Sequence, residues 1–558
     1  MSPVRTTALA VRGAVLATDL CLPDGPGPHP AVLVRTPYDR RAHHAELRSW
    51  ARHGFAAVAQ DVRGRHGSTG EWHPYRHEAQ DGAATLRWLR GRPWSDGRVV
   101  ACGASYAAHC ALAPALGPRT ALGPRTALGP RTALGPRTAL GPRTAHGPGA
   151  AGPAPAGAAG PPGGPDAVIA AVPALGPAET AREPCGAERL HARAGWWAAH
   201  GDRPDSDPGA LDRILAADPH ALEHLPVADL PGRLGLALPS WPLLWAAGRT
   251  GGEEYADAAV PLLAVGGTHD PFAAETVELW RRWGTRTGAP ARLLLGPWGH
   301  ALTAQPGPDA GGGHRIDLGR AYAEFARAAL AGTPGARPDG PALRGGAFAL
   351  GGTPGHWLDA RHWDPAPTRV PLLGGPLRMR VLRGERFTAD PADPVRSDRL
   401  TVPASGAADR CLAVSAPLDA PLHLAGPVAA RLHGTADTPA ADWIVRLVAL
   451  GPDGRAAHLA TGVARTTAPP GTGRDVTVRL GPVARRLPAG ARLRVEIAGH
   501  HFPAHARNPH TGEDPVHAKV LHASRRTVLP ARSSLNLPVL DPDTAARTTA
   551  RPAQEASR

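Results

Sequence analysis

Three polar residues of this chain, Ser105, Asp270 and His300, each follow a short apolar segment of the kind that forms a buried strand. The carboxyl ends of parallel strands open on one edge of a sheet, so loops that are distant in sequence can converge there. A histidine beside a serine can take its proton during attack on a carbonyl, and a carboxylate can hold the imidazole in the required tautomer. The order Ser, Asp, His therefore predicts a catalytic triad.

Ser105 lies in the segment 99–112, where small and β-branched residues run into Gly103 and an alanine-rich, helix-compatible segment follows. A serine at such a strand-to-helix turn has its hydroxyl raised off the sheet edge, close to the first amides of the helix. We predict an oxyanion hole formed by the backbone N–H of Tyr106 and by the phenol of Tyr38. The alternative for Tyr38 is an ordinary half-buried aromatic side chain.

Each member of the predicted triad also has a simpler interpretation. Ser105 could occupy a buried turn of small residues, Asp270 could cap a helix, and His300 could support another group. Two further histidines compete for the role of the base: His269, next to the predicted acid, and His66, in a glycine-rich loop. We rank His269 second, because a neighbour on the same turn points in a different direction.

The pattern of elements indicates how these residues are positioned. Up to about residue 340, short apolar strands alternate with helices, which is typical of a parallel sheet with crossover helices. Beyond it, short alternating segments bounded by Gly and Pro turns predict an antiparallel sandwich or jelly roll. The predicted division is a core in two parts, 1–174 and 257–340, a helical cap at 175–256, a jelly-roll domain at 341–540, and a disordered tail at 541–558.

A repeat interrupts the core directly after the Ser105 helix. From Ala115 to Thr144 the hexapeptide Ala-Leu-Gly-Pro-Arg-Thr recurs back to back, and a Gly/Pro/Ala tract continues to Pro165. A proline in every unit excludes an α-helix, and one leucine in six residues is too sparse to form an apolar face. We predict that residues 115–165 form a disordered insert; a basic tether or binding arm is the alternative.

Composition excludes several classes of function. The chain has 558 residues and a formal net charge of +14, yet the basic residues are scattered, and Lys519 is the only lysine. Without a basic stripe and aromatic platforms we expect no nucleic-acid partner. Five cysteines without CxxC spacing predict neither a metal site nor a cofactor. With no signal-peptide pattern and no apolar run of about 18 residues, we expect a cytoplasmic protein without membrane contact. The oligomeric state is left open.

Several sequence blocks follow one another in a recognisable order. In the first part they are RTPY (35–38), QDVRG (60–64) with GSTGE (67–71), PWSDG (93–97), GASY (103–106), GG with the following Asp270 (266–270), and GPWGH (296–300). In the second part they are PDG (452–454), HFP (501–503), NPHTG (508–512) and SSLNLP (533–538). With these blocks the chain resembles the CocE/NonD hydrolases, the family of cocaine esterase, α-amino-acid ester hydrolase and X-Pro dipeptidyl-peptidase.

The resemblance covers almost the whole chain outside the repeat. It implies an α/β-hydrolase core with a helical cap insertion and a C-terminal all-β jelly-roll (galactose-binding-like) domain that closes over the active site. It also implies the triad Ser105, Asp270 and His300, an oxyanion hole at Tyr38 and Tyr106, and a small ester, amide or short peptide as substrate. These are the residues that the strand-end pattern indicates independently.

Two positions depart from the family pattern. Ala108 stands three residues after the serine, where the family normally has glycine, and its methyl could crowd the helix against a neighbouring strand. Thr268 stands two residues before the predicted acid, where an aromatic is usual, and this alters the pocket wall.

The leading hypothesis is a serine hydrolase that cleaves ester or amide bonds through an acyl-enzyme intermediate. One alternative is an X-Pro dipeptidyl-peptidase-type aminopeptidase, which must anchor a substrate α-ammonium group with acidic side chains. The acids that the predicted cap offers for this are Glu179, Glu183, Glu188, Glu253 and Glu254. A second alternative is a catalytically weak binding protein with the β-domain as its binding module. The acyl and leaving groups are left open.

Overall fold

The computed structural model describes residues 3–116, 163–249, 252–331, 343–403 and 405–547. Nearly all of the insert at 115–165, which the sequence predicts to be disordered, lies outside the described residues, as does the end of the tail. No helix within the described ranges is both long enough and apolar enough to cross a bilayer.

Twelve strands precede residue 360 in the described part of the chain. They are β1 (Arg5–Val11), β2 (Ala14–Cys21), β3 (His29–Thr36), β4 (Ala56–Asp61), β5 (Ser95–Ala104), β6 (Ala167–Ala171), β7 (Leu262–Gly267), β8 (Ala291–Gly296), β9 (Trp298–Gly299), β10 (Leu302–Pro306), β11 (Gly345–Ala349) and β12 (Trp357–Asp359). Ten of them form one sheet in the order β1-β2-β4-β3-β5-β6-β7-β8-β11-β12. The pairs from β4-β3 to β8-β11 are parallel, as the sequence predicts.

Helices cover both faces of this sheet and form the cap. They are α1 (His44–Arg52), α2 (Glu78–Arg90), α3 (Tyr106–Ala115), α4 (Pro177–Ala181), α5 (Leu190–His200), α6 (Ala210–Ala217), α7 (Leu230–Arg233), α8 (Trp241–Ala246), α9 (Ala273–Arg282), α10 (Leu318–Leu330) and α11 (Pro542–Ala546). Successive strand residues point to opposite faces. Val100 therefore packs in the core that α1 and α10 cover, while Ala101 packs in the core under α3 and α9.

The second part of the chain folds into an antiparallel β-sandwich. Its strands are β13 (Thr368–Pro371), β14 (Arg380–Arg383), β15 (Arg386–Ala389), β16 (Arg410–Val414), β17 (Leu422–Ala436), β18 (Ala440–Leu450), β19 (Ala456–Thr467), β20 (Arg474–Leu487), β21 (Arg492–Ala498), β22 (Ser524–Val528) and β23 (Ser534–Leu537). A layer built on β17 and β20 and a layer built on β18 and β21 enclose a core of Val, Leu, Ala and Ile side chains. They are linked where Gly462 pairs with Leu480. The predicted fold class, an α/β core with an all-β C-terminal domain, is confirmed.

Two boundaries differ from the sequence-based expectation. Strands β11 and β12 lie beyond residue 340 and still belong to the first sheet, because β11 pairs in parallel with β8. Residues 542–546, predicted to lie in the disordered tail, form the short helix α11, in which Asp541 caps two backbone N–H groups and Ala545 is buried. The sequence pattern of such a short capped helix, with a single buried alanine, cannot be distinguished from that of a polar disordered tail.

Candidate active site

The turn between β5 and α3 holds Ser105 in an unusual backbone conformation. Its φ is 58° and its ψ is −123°, a region that residues with side chains rarely occupy. The Ser105 N–H donates to the carbonyl of Ala171 at 3.0 Å, and the Ser105 carbonyl accepts from the N–H of Ala108 at 3.1 Å. A Cβ on Gly103 would lie 2.2 Å from the carbonyl oxygen of Ala107, so this close approach requires glycine. The strained turn places the hydroxyl at the carboxyl edge of the sheet.

Tyr38, in the loop after β3, meets the serine turn. Its phenol donates to Ser105 Oγ at 3.3 Å, and the backbone N–H of Tyr106 donates to the phenol oxygen of Tyr38 at 3.4 Å. The two predicted oxyanion donors therefore converge beside the predicted nucleophile. Burial raises the pKa of the Tyr38 phenol, which keeps it protonated and able to donate at neutral pH.

The side chain of Tyr106 points away from this cluster into the core. It is fully buried, its O–H donates to Glu78 Oε1 at 2.6 Å, and it accepts the backbone N–H of Tyr75 at 2.5 Å. Burial raises the pKa of Glu78, which lies in the first turn of α2. Tyr106 therefore offers its backbone amide to the site, and its phenol fixes the start of α3.

Trp196, on the cap helix α5, is a site residue that the sequence does not reveal. Its Nε1–H donates to the phenol oxygen of Tyr38 at 3.2 Å, and its ring stacks on Tyr106 with 5.7 Å between centroids. The ring of His200, on the same helix, packs edge-on against Tyr38 at 5.0 Å. The cap thus orients Tyr38, the predicted oxyanion donor, through a contact between residues 158 positions apart that has no local sequence signature.

Asp270 and His300 form the second half of the site, at the ends of β7 and β8. His300 Nδ1 lies 2.7 Å from Asp270 Oδ1; the aspartate side chain is fully buried, whereas the histidine side chain is 41% exposed. Burial raises the pKa of Asp270, although the hydrogen bond from His300 opposes this rise. A Cβ on Gly267 would lie 2.0 Å from the carbonyl oxygen of Trp298, so a glycine there lets the two loops meet. The ring of Phe272 packs edge-on against the imidazole at 5.5 Å.

Strand order brings the two halves to one sheet edge, because β5, β6, β7 and β8 are consecutive neighbours. Among the hydrogen bonds of the described residues, none joins Ser105 Oγ to His300; the serine hydroxyl is bonded to Tyr38 instead. Catalytic hydrogen bonds are often long before substrate binds and shorten in the complex. The structure thus holds the predicted residues as two hydrogen-bonded groups, Ser105–Tyr38–Tyr106 and Asp270–His300.

The competing histidines have other partners. His269 Nε2 lies 2.5 Å from Asp309 Oδ1, and Asp309 also pairs with Arg485 of the β-domain at 2.9 Å. His66 Nε2 lies 3.1 Å from the carbonyl oxygen of Pro37. Neither histidine is bonded to Asp270 in the described structure.

The first departure from the family pattern is accommodated without distortion. Ala108 is fully buried among apolar side chains of α3 and the neighbouring strands, and its N–H still bonds the carbonyl of Ser105. At the second departure, the N–H of Thr268 bonds the carbonyl of Gly296, which again links the loops after β7 and β8.

Three of the five predicted cap acids are engaged by basic residues. Glu183 is bonded to Arg189 at 2.9 Å and to His505 at 3.0 Å. Although burial alone would raise it, Arg189 and His505 hold the pKa of Glu183 below its ordinary value. Glu188 is bonded to Arg182 and to Arg465 of the β-domain, and Glu253 is paired with Arg282 and Arg286.

The site combines a strained serine at a strand-to-helix turn, two hydrogen-bond donors beside it, and an Asp–His pair at the same edge of a largely parallel sheet. This arrangement is typical of a serine-type α/β hydrolase. Comparison with known proteins agrees. Residues 12–123 match the family model X-Pro dipeptidyl-peptidase (S15 family), and residues 378–543 match X-Pro dipeptidyl-peptidase C-terminal non-catalytic domain. The chain is similar to the CocE/NonD hydrolases, and these similarities identify it as a hydrolase.

Individual relatives show how far the similarity extends. The cocaine esterase of Rhodococcus sp. (strain MB1 Bresler) is 27% identical, over 90% of this chain and 91% of that protein. An α-amino acid ester hydrolase and an aminopeptidase from a marine sediment Thaumarchaeota archaeon each superpose with a TM-score of 0.70 at 18% identity; the first comparison covers 96% of both chains, the second 97% of this chain and 96% of the archaeal one. At this identity the two structures establish a shared fold.

Proposed function

We propose that the protein is a serine hydrolase that cleaves ester or amide bonds of small acyl substrates through an acyl-enzyme intermediate. The observation that supports this most directly is the strained Ser105, whose hydroxyl lies beside both the Tyr38 phenol and the Tyr106 amide. A buried turn of small residues does not require such a conformation, whereas a nucleophile that must stand clear of the sheet does.

In the proposed reaction, Ser105 Oγ attacks the substrate carbonyl while His300 Nε2 takes its proton. The carbonyl oxygen becomes an oxyanion and accepts hydrogen bonds from the Tyr38 phenol and the Tyr106 amide. His300 then gives the proton to the departing alcohol or amine, which leaves Ser105 acylated. In the second half water attacks the acyl carbonyl while His300 takes its proton. The bond between the acyl carbon and Ser105 Oγ then breaks, His300 returns the proton to Ser105 Oγ, and the acid departs. Asp270 orients and stabilises the imidazolium in both halves.

The cap contacts favour an ester over an N-terminal dipeptide as substrate. An α-ammonium group needs a carboxylate that no other cation neutralises. Glu183, Glu188 and Glu253 are each engaged by at least one arginine, and the ring facing His300 is the apolar Phe272. These contacts therefore support the aminopeptidase hypothesis less well than the esterase hypothesis.

We further propose that the hydrolase core consists of residues 1–174 and 257 to about 364, with the cap at 175–256 between them and the β-domain after it. This keeps the predicted cap and moves the second core boundary past β12, because β11 and β12 complete the first sheet.

A covalent probe and two chromogenic substrates test the proposed function. We expect a fluorophosphonate probe to label the purified full chain and Ser105→Ala to remain unlabelled. We expect turnover of 4-nitrophenyl butyrate with a burst of 4-nitrophenol close to one equivalent, since an acyl-enzyme releases its first product before it is hydrolysed. Turnover of Gly-Pro-4-nitroanilide is expected to be much slower.

Ser49→Ala is the matched control, because Ser49 lies on α1, outside the site. Persistent labelling of Ser105→Ala would exclude Ser105 as the nucleophile. A clear preference for Gly-Pro-4-nitroanilide over the ester would instead favour the aminopeptidase alternative.

A further inference from the structure

Arg193, on the cap helix α5, is a buried cation without a carboxylate of its own. The residue is only 6% exposed, and its Nε is buried with no hydrogen-bond partner. Among the ion pairs and hydrogen bonds that the structure gives for the described side chains, none involves its guanidinium. Burying an unpaired guanidinium is costly, so such groups in proteins almost always have a partner.

Arg189, one helical turn earlier, shows what a paired arginine looks like in the same environment. Its guanidinium bonds Glu183 at 2.9 Å and Glu275 at 2.9 Å. Glu275 is therefore already committed to Arg189, and its second carboxylate oxygen has no hydrogen-bond partner, so it does not bond Arg193 directly. Arg189 Nη1 also lacks a hydrogen-bond partner, but two carboxylates already balance the charge of Arg189. Of these two described arginines, Arg193 is the one whose charge no carboxylate balances.

Helix geometry places Arg193 over the candidate site. Residues three apart share a helix face, and Trp196, three residues after Arg193, donates its N–H to the oxyanion tyrosine Tyr38. The titratable groups that act electrostatically on Arg193 are Tyr75, Arg189, Tyr38 and Glu275, and the ring of Tyr75 packs against Tyr106 with 4.7 Å between centroids. Arg193 thus lies one helical turn from the Trp196 that contacts Tyr38, within electrostatic range of Tyr38 and of Glu275.

A substrate carboxylate matches this arrangement. Guanidinium and carboxylate form two parallel charge-assisted hydrogen bonds, and the pair is strong where water is excluded. Because the nearby carboxylates Glu183 and Glu275 are tied to Arg189, repulsion from them is reduced.

We propose that Arg193 binds a carboxylate of the substrate, so that the preferred substrate is an ester bearing a negative charge close to the scissile carbonyl. This rests on the proposed function, and it assigns a specificity role to a residue that does not take part in bond cleavage. The carboxylate can belong to the acyl group, as in a dicarboxylic half-ester, or to the leaving group.

The test compares charged and neutral esters of similar size. Wild type is assayed with 4-nitrophenyl hemisuccinate and 4-nitrophenyl butyrate, and with the acetates of 4-hydroxybenzoate and 4-methylphenol for the leaving-group side. We expect kcat/KM to be higher for the charged member of one pair.

The variants test whether Arg193 causes this preference. In Arg193→Gln the ratio of kcat/KM for the charged ester to kcat/KM for the neutral ester should fall about 10- to 100-fold, the usual range for a hydrogen bond to a charged group. Arg193→Lys should retain part of the preference. Arg213→Gln, at an exposed cap arginine, should leave the ratio unchanged.

Binding gives a readout that does not need turnover. Glutarate at millimolar concentration should raise the thermal midpoint of wild type and of Ser105→Ala, but not that of Arg193→Gln. If wild type shows no charged-ester preference in either pair, or if the preference and glutarate stabilisation survive in Arg193→Gln, the proposal is wrong. If Arg193→Gln does not fold, the wild-type ratios and the glutarate shift decide. Failure of the proposed function differs visibly: neither ester is turned over, and the fluorophosphonate does not label Ser105.

Discussion

Ser105 and its proposed oxyanion donors belong to a hydrogen-bonded network that continues into the core at Tyr106 and Glu78. In the described structure His300, by contrast, has a single side-chain hydrogen bond, to Asp270. On the nucleophile side, Tyr38 is bonded to Ser105, Tyr106 and Trp196, and Tyr106 is bonded to Glu78. These contacts come from three parts of the chain: the core loops, α2 and the cap. On the acid–base side, the imidazole projects from its loop with 41% of its side chain exposed.

The difference corresponds to what each side must do. An oxyanion hole stabilises charge only if its dipoles are oriented before the charge develops, so its donors have to be fixed. In the proposed reaction the imidazole has to reach the serine, the leaving group and the attacking water in turn, and its single hydrogen bond to Asp270 would permit this while preserving the tautomer. The two sides should therefore respond differently to mutation.

Removing the charge behind the imidazole is expected to have the largest effect. In Asp270→Asn the amide can donate to His300 Nδ1 and favour the wrong tautomer, so kcat should fall by about 10³- to 10⁴-fold with little change in fold. Steady-state kinetics with 4-nitrophenyl butyrate measure this, and Asp257→Asn, at an exposed position, serves as the control. A loss below about tenfold would mean that another group orients His300.

Removing one oxyanion donor should cost less. Tyr38→Phe keeps the ring but deletes the O–H beside Ser105, and we expect kcat to fall by about 10²- to 10³-fold, the usual loss for one such donor. Fluorophosphonate labelling should slow but persist, because Ser105 and His300 are intact. Tyr322→Phe, on α10, is the matched control. Unchanged kcat in Tyr38→Phe would reduce Tyr38 to a packing residue.

The sequence indicates which residues are candidates for chemistry at this site, but it does not indicate which other residues hold them in place. Ser105, Asp270 and His300 can be singled out as candidates because each follows an apolar run, and strand order in a parallel sheet then brings them to one edge. The strand and helix pattern likewise predicts the core sheet and the antiparallel domain. Sequence pattern does not predict that β11 and β12 return to the first sheet, because short apolar strands look alike in both domains.

The side chains that hold the candidate site in place do so through contacts with residues far away in the chain. Trp196 reaches Tyr38 across 158 residues, and Glu188 reaches Arg465 across 277. Among the five predicted cap acids, no local spacing indicates which basic residue a carboxylate pairs with. The same holds for Arg189, at the start of α5, and Arg193, within it: both are arginines, and they differ in what the folded chain places beside them.

The smallest effect on activity is expected for a substitution in the hydrogen-bonded network that does not touch the proposed reacting groups. Tyr106→Phe leaves the backbone N–H in place but deprives Glu78 of its donor and the Tyr75 N–H of its acceptor. Leaving buried polar groups unsatisfied should lower the free energy of unfolding by about 1–3 kcal/mol, measured by denaturant titration. If the network also positions the amide, kcat should fall by about tenfold while KM changes little, because a small displacement of a donor weakens mainly the transition state.

Two readouts separate these roles in Tyr106→Phe. A stability loss with unchanged kcat per fluorophosphonate-labelled site would show that the Glu78–Tyr106 contact supports only the fold. A fall in kcat that adding Glu78→Leu partly reverses, by removing the unpaired carboxylate, would show that a buried side-chain network holds the oxyanion amide in place. In that case the activity of the Ser105 side depends on the buried hydrogen bonds of Tyr106 with Glu78 and Tyr75. The His300 side, which has one hydrogen bond to Asp270, has no such dependence.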